Sequence, residues 1–398
     1  MKKFKVIIDT DPGVDDTTGL VYAMHDPQFD IKLITISNGN INIDNATRNM
    51  CHLLDLFHKD IPVVKGYRKR LGDSKEDAIF LHTKEGLGGY IPPKTTTHQP
   101  LDVDAADAVY EVLKANPKEI TMIILGTHTN FANLLIKHPD AKDLVKQIVM
   151  EGGAPFGTKS DPNHNSFNIR TDAPAFKHTI DSKIPTTMVP SSIGRDCGHF
   201  TEEMVEEIKN MNDVGKFLNL TYQTYWEPNY PDRRIANNDI CAINLLTHPH
   251  LYKTKRANIE LDVETGKTTA IFTRKGTFKI AYGLRRKKFI KLLFKKLHEM
   301  DDIKIPELAK QDELRKEAEM EKERKELSAK VTAHKTKSKT KTETKTSETS
   351  KAKRTTKTAS AKTSTKKENG TTTKITAKQK AQSPAKKKTQ TKNKKTEE

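Results

Sequence analysis

Four aspartates stand close together near the N-terminus, in the segment Asp9-Thr10-Asp11-Pro12-Gly13-Val14-Asp15-Asp16. Carboxylates this close repel one another and raise each other's pKa, so burying them together is costly unless a counter-ion is present. A hard divalent cation relieves this repulsion, and calcium takes carboxylate oxygens as ligands. Because Pro12 and Gly13 turn the chain back, Asp11 and Asp16 can reach one ion. The segment therefore predicts a metal-binding acidic loop in an active site.

An acidic turn that caps the following helix is the other interpretation of this segment. Asp15 or Asp16 would then lie near the helix N-terminus, where a carboxylate accepts hydrogen bonds from free N–H groups and meets the positive end of the helix dipole. Capping accounts for one aspartate, or for two, but not for four. The metal site is therefore the preferred prediction.

Short apolar runs rich in isoleucine and valine alternate with helical patterns along the first half of the chain. The predicted strands are Phe4 to Ile8, Leu33 to Ser37, Ile61 to Val64, Ile120 to Leu125, Gln147 to Met150 and Thr186 to Val189. The predicted helices are Asp16 to Met24, Asn45 to Phe57, Ala105 to Ala115, Asn130 to His138 and Ala173 to Thr179. This alternation predicts an α/β fold with a mostly parallel, open sheet flanked by helices, of the Rossmann-like kind. Such sheets bind ligands beyond the carboxyl ends of their strands, and the acidic loop follows the first strand at that edge.

The last third of the chain is less regular. Asn258 to Val263 and Thr268 to Phe272 predict a β-hairpin, and Lys287 to Met300 predicts a closing helix with Phe289, Leu292, Leu293 and Leu297 on one face. From Pro306 the chain is dense in charged residues and poor in large apolar ones. We therefore expect a folded domain at residues 1–305, a charged helical extension at 306–330 and a disordered basic tail rich in Lys, Thr and Ser at 331–398.

The basic charge of the chain is concentrated in that tail. Residues 331–398 carry 21 Lys plus Arg and 5 Glu, a net of +16, whereas the whole chain is +18, so the first 330 residues carry 18 − 16 = +2. A nearly neutral body gives no reason to expect nucleic acid in the main cleft. The tail has no aromatic residues for stacking on bases. Contact with nucleic acid or other anionic surfaces, or a passive solubilising role, are both open for it.

Other features bound the compartment. Three scattered cysteines, at positions 51, 197 and 241, give neither a disulfide framework nor a CxxC zinc pair. The N-terminal apolar run is too short for a signal peptide, and the sequence contains no stretch of about 18 apolar residues that would span a membrane. We therefore expect a cytoplasmic protein with no membrane span.

The acidic loop resembles the signature of the nucleoside hydrolases of the inosine-uridine-preferring type, and the resemblance covers roughly Lys3 to Leu297. Further blocks follow in the family's order, namely Ser37-Asn38-Gly39-Asn40, His82 with Glu85-Gly86-Leu87-Gly88, Leu125-Gly126-Thr127-His128-Thr129-Asn130, Phe167-Asn168 and Asn238-Asp239. The resemblance implies an N-ribosyl hydrolase of the glycosidase class, which converts a ribonucleoside and water into ribose and a free base in purine or pyrimidine salvage. It also implies a homo-oligomer, either a dimer or a tetramer.

The resemblance also implies a role for particular residues. Calcium would be held by Asp11, Asp16, the backbone carbonyl of Leu125 and Asp239, with Asp11 as the general base. Asp15, Asn40 and Asn168 would bind the ribose hydroxyls. His82 would protonate the leaving base, although an ordinary loop histidine is the alternative. Tyr222, Tyr225 and Trp226 would lie on the helix that faces the base, and Tyr225 is the predicted contact, with core packing as the alternative.

Three positions depart from the family pattern. Ser166 stands where the family has a Glu near the ribose 5′ end, Asn238 where many members have a His that serves the leaving base, and Glu151 where a Met is common. All three are predicted to contact the substrate. Another acid, such as His82 or His164, an unusual ribosyl substrate, or riboside binding with little turnover would each account for the departures.

Arg170 and the segment Asp9-Thr10-Asp11 each have more than one interpretation. Arg170 would form a surface salt bridge, with a pair to Glu151 or a contact with a substrate phosphate as alternatives. Asp9-Thr10-Asp11 after a strand also matches the Asp-x-Asp loop of magnesium-dependent phosphatases of the haloacid-dehalogenase type. The Asp15-Asp16 pair and the block from Gly126 to Asn130 argue against that class.

Overall fold

The computed structural model describes residues 3–228, 230–321 and 323–325, and Met1–Lys322 forms one compact unit. Its strands are β1 (Phe4–Thr10), β2 (Phe29–Ile36), β3 (Val63–Lys65), β4 (Thr121–Ile124), β5 (Gln147–Glu151), β6 (Thr186–Val189), β7 (Phe200–Thr201), β8 (Arg234–Ile235), β9 (Tyr252–Leu261), β10 (Thr268–Phe272) and β11 (Phe278–Leu284). Its α-helices are α1 (Val14–His25), α2 (Ile43–Leu56), α3 (Ile79–His82), α4 (Ala105–Ala115), α5 (Thr129–Lys137), α6 (Ala141–Leu144), α7 (Phe167–Arg170), α8 (Ala173–Ser182), α9 (Glu202–Lys209), α10 (Asp213–Tyr222), α11 (Asn238–Thr247) and α12 (Arg286–His298).

Nine strands form one sheet in the order β10-β9-β11-β6-β5-β4-β1-β2-β3. Neighbours from β11 to β3 are parallel, and β9 runs antiparallel to both β10 and β11. The predicted α/β fold with a mostly parallel open sheet is therefore confirmed, and so is the hairpin, as β9 and β10.

Both faces of the sheet are covered, which explains why its strands are almost continuously apolar. In β1, Val6 and Ile8 belong to one hydrophobic core and Ile7 to a second core on the opposite face, because successive side chains of a strand point to opposite sides. All three side chains are fully buried. Burial on two faces fixes the register of β1 between β2 and β4 and holds the acidic loop at the sheet edge.

The strand order brings distant segments of the chain together. The carboxyl ends of β5, β4, β1 and β2 lie side by side, so the loops after these four strands meet. Glu151 is the last residue of β5, and the segments that follow β4, β1 and β2 contain Leu125, the acidic loop and Asn40, respectively. A π-helical turn after β6, Ile193–Gly198, adjoins the same edge.

Several predicted bounds were wrong, and some elements were missed. Helix α1 begins at Val14 instead of Asp16, β2 begins at Phe29 instead of Leu33, and β9 begins at Tyr252 instead of Asn258. The missed elements are β7, β8, β11 and the helices α3, α6, α7, α9 and α11. Helix α10 ends at Tyr222, so Tyr225 and Trp226 follow this helix and do not lie on it.

The compact unit runs past the predicted boundary at residue 305. A 3-10 helix spans Pro306–Lys310, residues 311–321 are helical, and the Gln311 side chain bonds both the backbone N–H and the carbonyl of Ile91. Residues 326–330 of the predicted extension and the predicted tail at 331–398 lie outside the described residues. Within the described part of the chain, no helix combines the length and the apolar character needed to cross a membrane.

Candidate active site

The acidic loop passes directly from β1 into α1, and Asp16 lies in the first turn of that helix. The Asp16 carboxylate accepts hydrogen bonds from Gly13 N at 3.1 Å and from Thr10 Oγ1 at 2.6 Å. Asp16 therefore caps the helix, as the alternative interpretation of the loop expected of one aspartate. Capping does not account for the other three carboxylates, which are also buried.

Asp15, Asp16 and Asp239 form a buried carboxylate cluster in which each offers an oxygen within 4.8 Å of the others. Burial raises the pKa of all three, and neighbouring carboxylates add to it for Asp16 and Asp239. A cation would stabilise the ionised form of three buried carboxylates at this spacing, and an all-oxygen donor set suits a hard ion such as calcium. The residues present thus fit a divalent metal ion.

Asp11 lies beside this cluster but is completely buried. Its Oδ2 accepts a hydrogen bond from Asn40 N at 2.7 Å, and its Oδ1 has no hydrogen-bond partner among the described residues. A Cβ at Gly126 would lie 2.4 Å from Asp11 Oδ1, so only a glycine leaves room for this carboxylate. Burial, followed by the charge of Asp16, raises the pKa of Asp11 well above its ordinary value.

A cavity of about 240 Å³ opens above the carboxylate cluster. Of the residues predicted from the sequence, it is lined by Asp15, Asp16, Asn40, His82, Leu125, Glu151, Ser166, Asn168, Tyr225, Asn238 and Asp239. Asp11 is the one predicted residue that does not line it. The structure thus brings the predicted site together, with Asp15 in the carboxylate cluster and Asp11 behind the cavity wall.

One wall of the cavity is built from polar groups suited to sugar hydroxyls. Asn168 Nδ2 donates to the carbonyl of Leu125 at 2.5 Å and to Glu151 Oε2 at 2.9 Å, and Ser191 Oγ donates to Glu151 Oε1 at 3.2 Å. Burial and the charge of Asp15 raise the pKa of Glu151 to about 8. Ser166 Oγ is buried and has no partner in the described part of the chain, so it is free to bind a ligand.

His82 and Tyr225 also line the cavity, and their ring centroids lie 4.9 Å apart. His82 Nδ1 accepts a hydrogen bond from Val14 N at 3.0 Å, which places the proton of the neutral ring on Nε2. Burial lowers the pKa of His82 to about 4, so the ring is neutral at pH 7. In this geometry His82 is a fixed hydrogen-bond donor.

Replacement of Gly13 by alanine is expected to displace His82. The new Cβ would lie 2.5 Å from His82 Nδ1 and 2.9 Å from Asn40 Nδ2, so both side chains would have to move. We expect a loss of about 1–3 kcal/mol in the free energy of unfolding, as for other overpacked sites, together with at least about a tenfold loss of activity.

Thermal unfolding and steady-state rates of Gly13→Ala provide the measurement. Gly283→Ala is the matched control, because its Cβ would approach only the flexible Lys253 side chain, at 3.4 Å. Equal behaviour of the two variants would show that His82 and Asn40 are not held in place by close packing against Gly13.

Two arginines line the cavity as well, and the sequence patterns assigned no site role to Arg195. Arg195, on the π-helical turn, lines the cavity, and its Nη1 donates to Glu227 Oε2 at 2.7 Å. The partners are 32 positions apart, so no local pattern marks them. Arg170 also lines the cavity but pairs with Glu76, so the predicted surface salt bridge is confirmed and the pair with Glu151 is not formed.

The three aromatic residues near position 225 have separate environments. Tyr222 is fully buried in the core, where its hydroxyl bonds Thr18 Oγ1 at 2.8 Å. Tyr225 lines the cavity, and the Trp226 ring packs against the guanidinium of Arg233, 4.1 Å from its centroid. Core packing therefore accounts for Tyr222, whereas Tyr225 faces the site.

Residues 6–291 match the family model described as inosine-uridine preferring nucleoside hydrolase. The chain belongs to the nucleoside hydrolase family. This nucleoside hydrolase is 29% identical over 267 residues to the non-specific ribonucleoside hydrolase RihC of Salmonella paratyphi A. The matched region covers 67% of this chain and 86% of that protein. RihC of Escherichia coli O1:K1 / APEC is 28% identical over 272 residues, covering 68% and 88% of the two chains.

Solved structures of the family share the fold of this nucleoside hydrolase. A plant nucleoside hydrolase, PpNRh1, superposes with a TM-score of 0.68 at 26% identity over 74% of this chain and 98% of that one. A purine-preferring ribonucleoside hydrolase from Gardnerella vaginalis gives 0.68 at 25% identity, over 75% and 100%. The protein is thus an enzyme of the glycosidase type, and the phosphatase alternative loses its support.

Proposed function

We propose that this nucleoside hydrolase cleaves the N-glycosidic bond of ribonucleosides in a calcium-dependent reaction that releases ribose and a free nucleobase. The observation that carries the proposal is the buried cluster of Asp15, Asp16 and Asp239 at a cavity that also presents Asn40 and Asn168. The names of the relatives support the reaction, since they are described as ribonucleoside hydrolases.

The carboxylate cluster supports the choice of metal. Asp15, Asp16 and Asp239 would hold calcium together with the Leu125 carbonyl and the Asp11 carboxylate, all of which offer oxygen donors. Bound calcium would lower the pKa of a water molecule and orient the ribose hydroxyls. We include Asp15 among the proposed ligands, in addition to those that the resemblance implies, because its carboxylate lies in the same cluster.

The reaction builds positive charge on the ribose ring as the bond to the base stretches. Asp15 and Asp16, which line the cavity, would stabilise that charge electrostatically in a site already shaped for it. Asn40, Asn168 and Glu151 would hold the sugar hydroxyls. Asp11 would take the proton of the attacking water, and its Oδ1 is the oxygen that no described residue occupies.

The test is a panel of inosine, adenosine, guanosine, uridine and cytidine, assayed for reducing sugar and for free base with and without a calcium chelator. We expect both products from at least one nucleoside, and their loss in the chelator. Ribose binding by calorimetry without any product would favour a non-catalytic riboside-binding protein. Full activity in the chelator would refute the calcium dependence, and phosphate release from p-nitrophenyl phosphate would revive the phosphatase.

The proposed reaction suggests a metabolic role and a compartment for the enzyme. Release of free bases from nucleosides suits purine or pyrimidine salvage in the cytoplasm, and we propose a homo-oligomeric enzyme, as the family resemblance implies. Contact of the tail at residues 331–398 with anionic surfaces stays a prediction, based on its net charge of +16 from 21 Lys plus Arg and 5 Glu.

A further inference from the structure

Arg195 is a cation in a cavity otherwise rich in carboxylates. It lines the cavity together with Asp15, Asp16, Glu151 and Asp239, and only 20% of its side chain is exposed. An arginine keeps its charge at every accessible pH, so its burial has to be balanced by a carboxylate. Glu227, with a side chain that is 1% exposed, supplies that balance.

The guanidinium of Arg195 forms hydrogen bonds with only part of its donor groups. Its Nη1 donates to Glu227 Oε2 at 2.7 Å, whereas its buried Nε has no hydrogen-bond partner among the described residues. Arg170, the other arginine at the cavity, differs in this respect. Its Nε and Nη2 donate to Glu76 and its Nη1 donates to the carbonyl of Asn165. Each nitrogen of Arg170 therefore already donates to a protein group, whereas Nε of Arg195 donates to none in the described part of the chain.

Arg195 lies on the side of the cavity that carries Asn238 and Tyr225. The preceding residue, Gly194, packs so closely on Asn238 that a Cβ there would lie 2.3 Å from Asn238 Oδ1. Asn238 Nδ2 in turn donates to Asp15 Oδ2 at 3.1 Å. Burial acts to lower the pKa of the Arg195 guanidinium, and the nearby Glu227 carboxylate raises it. Arg195, Asn238 and Tyr225 all line the same cavity.

The chemistry of glycosidic cleavage limits what a cation can do there. Positive charge develops on the ribose ring, and an arginine next to it would oppose the reaction. Negative charge develops only on the nitrogen of the departing base. A guanidinium stabilises such an anion by charge-assisted hydrogen bonds. Asn238, in contrast, has an amide that releases no proton.

We infer that Arg195 stabilises the departing nucleobase as an anion, so that cleavage requires no proton donor at position 238. This inference rests on the proposed function. The bond between the ribose carbon and the base nitrogen breaks, and both electrons stay on that nitrogen. The guanidinium keeps all its protons, water adds to the ribose carbon and gives its proton to a carboxylate, and solvent protonates the released base. Glu227 is a positioning residue that fixes the orientation of Arg195.

The experiment compares leaving groups in Arg195→Gln and the wild-type enzyme. The bases of uridine and inosine are poorly stabilised as anions when they leave. In contrast, p-nitrophenyl β-D-ribofuranoside releases an anion that is stable in water. For Arg195→Gln we expect kcat/KM to fall about 100- to 1,000-fold on the nucleosides, as for loss of one preorganised donor, and less than about tenfold on the p-nitrophenyl riboside. Arg195→Lys, which keeps the charge, should recover part of the loss.

Arg170→Gln is the matched control, because it removes a second cavity arginine whose three nitrogens each already donate to a protein group. Its losses should be equal across the three substrates. Added methylguanidinium should restore nucleoside cleavage by Arg195→Ala, a readout that a merely structural arginine would not give. Losses by Arg195→Gln that are equal on all substrates, without rescue, would overturn the inference alone. A wild-type enzyme that releases no base from any nucleoside would overturn the proposed function as well.

Discussion

Removal of divalent cations with a chelator should lower the melting temperature of this nucleoside hydrolase by roughly 5–10 °C, and calcium should restore it. The metal-free site leaves Asp15, Asp16 and Asp239 crowded and buried without a counter-charge. Calcium at about one hundred times its dissociation constant contributes about 2.7 kcal/mol to the free energy of unfolding, and each kilocalorie shifts the midpoint of a domain of this size class by roughly 2–4 °C.

The pH dependence of this stabilisation has a definite sign. Burial raises the pKa of Asp9 to about 7 and that of Glu151 to about 8, and it also raises the pKa of the three clustered aspartates. When the pKa of a carboxyl group is higher in the folded than in the unfolded protein, its protonated form favours the folded state. The free energy of unfolding is then highest at low pH and falls as the pH rises through the folded-state pKa. The metal-free enzyme should therefore lose stability as the pH rises from about 4 towards 8.

Calcium should reverse this trend, because it binds the ionised carboxylates and displaces their protons. The melting temperature gained on adding calcium should be larger at pH 8 than at pH 5, as measured by scanning calorimetry at about ten pH values. Magnesium, which prefers octahedral geometry with several waters, is the comparison ion. A gain in melting temperature that is independent of pH, or absent, would contradict a metal site built on these carboxylates.

The sequence allowed the fold to be predicted, because the alternation of strands and helices is a local pattern. Strands buried on two faces are continuously apolar, as in Val6-Ile7-Ile8, and the alternation with helices determines a parallel sheet. Parallel strands then place the residues after their carboxyl ends together. Asn40, Leu125 and Glu151 were predicted to share a site on the strength of the family resemblance, and all three line the same cavity.

Features that depend on distant contacts were missed. Strand β11 inserts between β9 and β6, and nothing in its own sequence indicates a parallel partner about 90 residues earlier. Arg195 is held in position by its ion pair with Glu227, which lies on a separate loop. Spacing also could not show which carboxylates face the cavity. Asp15 and Asp16 do so from the first turn of α1, while Asp11 points between Gly39 and Gly126, where the absence of a Cβ leaves room for it.

Asp11→Asn is expected to lower kcat about 100- to 10,000-fold, the usual contribution of a general base, with a smaller change in KM. The substitution is nearly isosteric. An asparagine retains an oxygen that accepts the hydrogen bond from Asn40 N, while the oxygen without a partner is replaced by an amide group that cannot take a proton. One buried charge is removed as well, so the metal-free variant should be at least as stable as the wild-type protein.

Steady-state kinetics and thermal unfolding in the chelator separate the two effects of this substitution. Asp26→Asn is the matched control, because Asp26 is equally a buried aspartate but lies at the C-terminal end of α1, where it accepts a hydrogen bond from Gln28 N. It should leave kcat within about threefold. If Asp11→Asn keeps more than about a tenth of the wild-type kcat, the proton must go elsewhere. The role of base would then pass to Asp15 or Asp16, the carboxylates of the acidic loop that line the cavity.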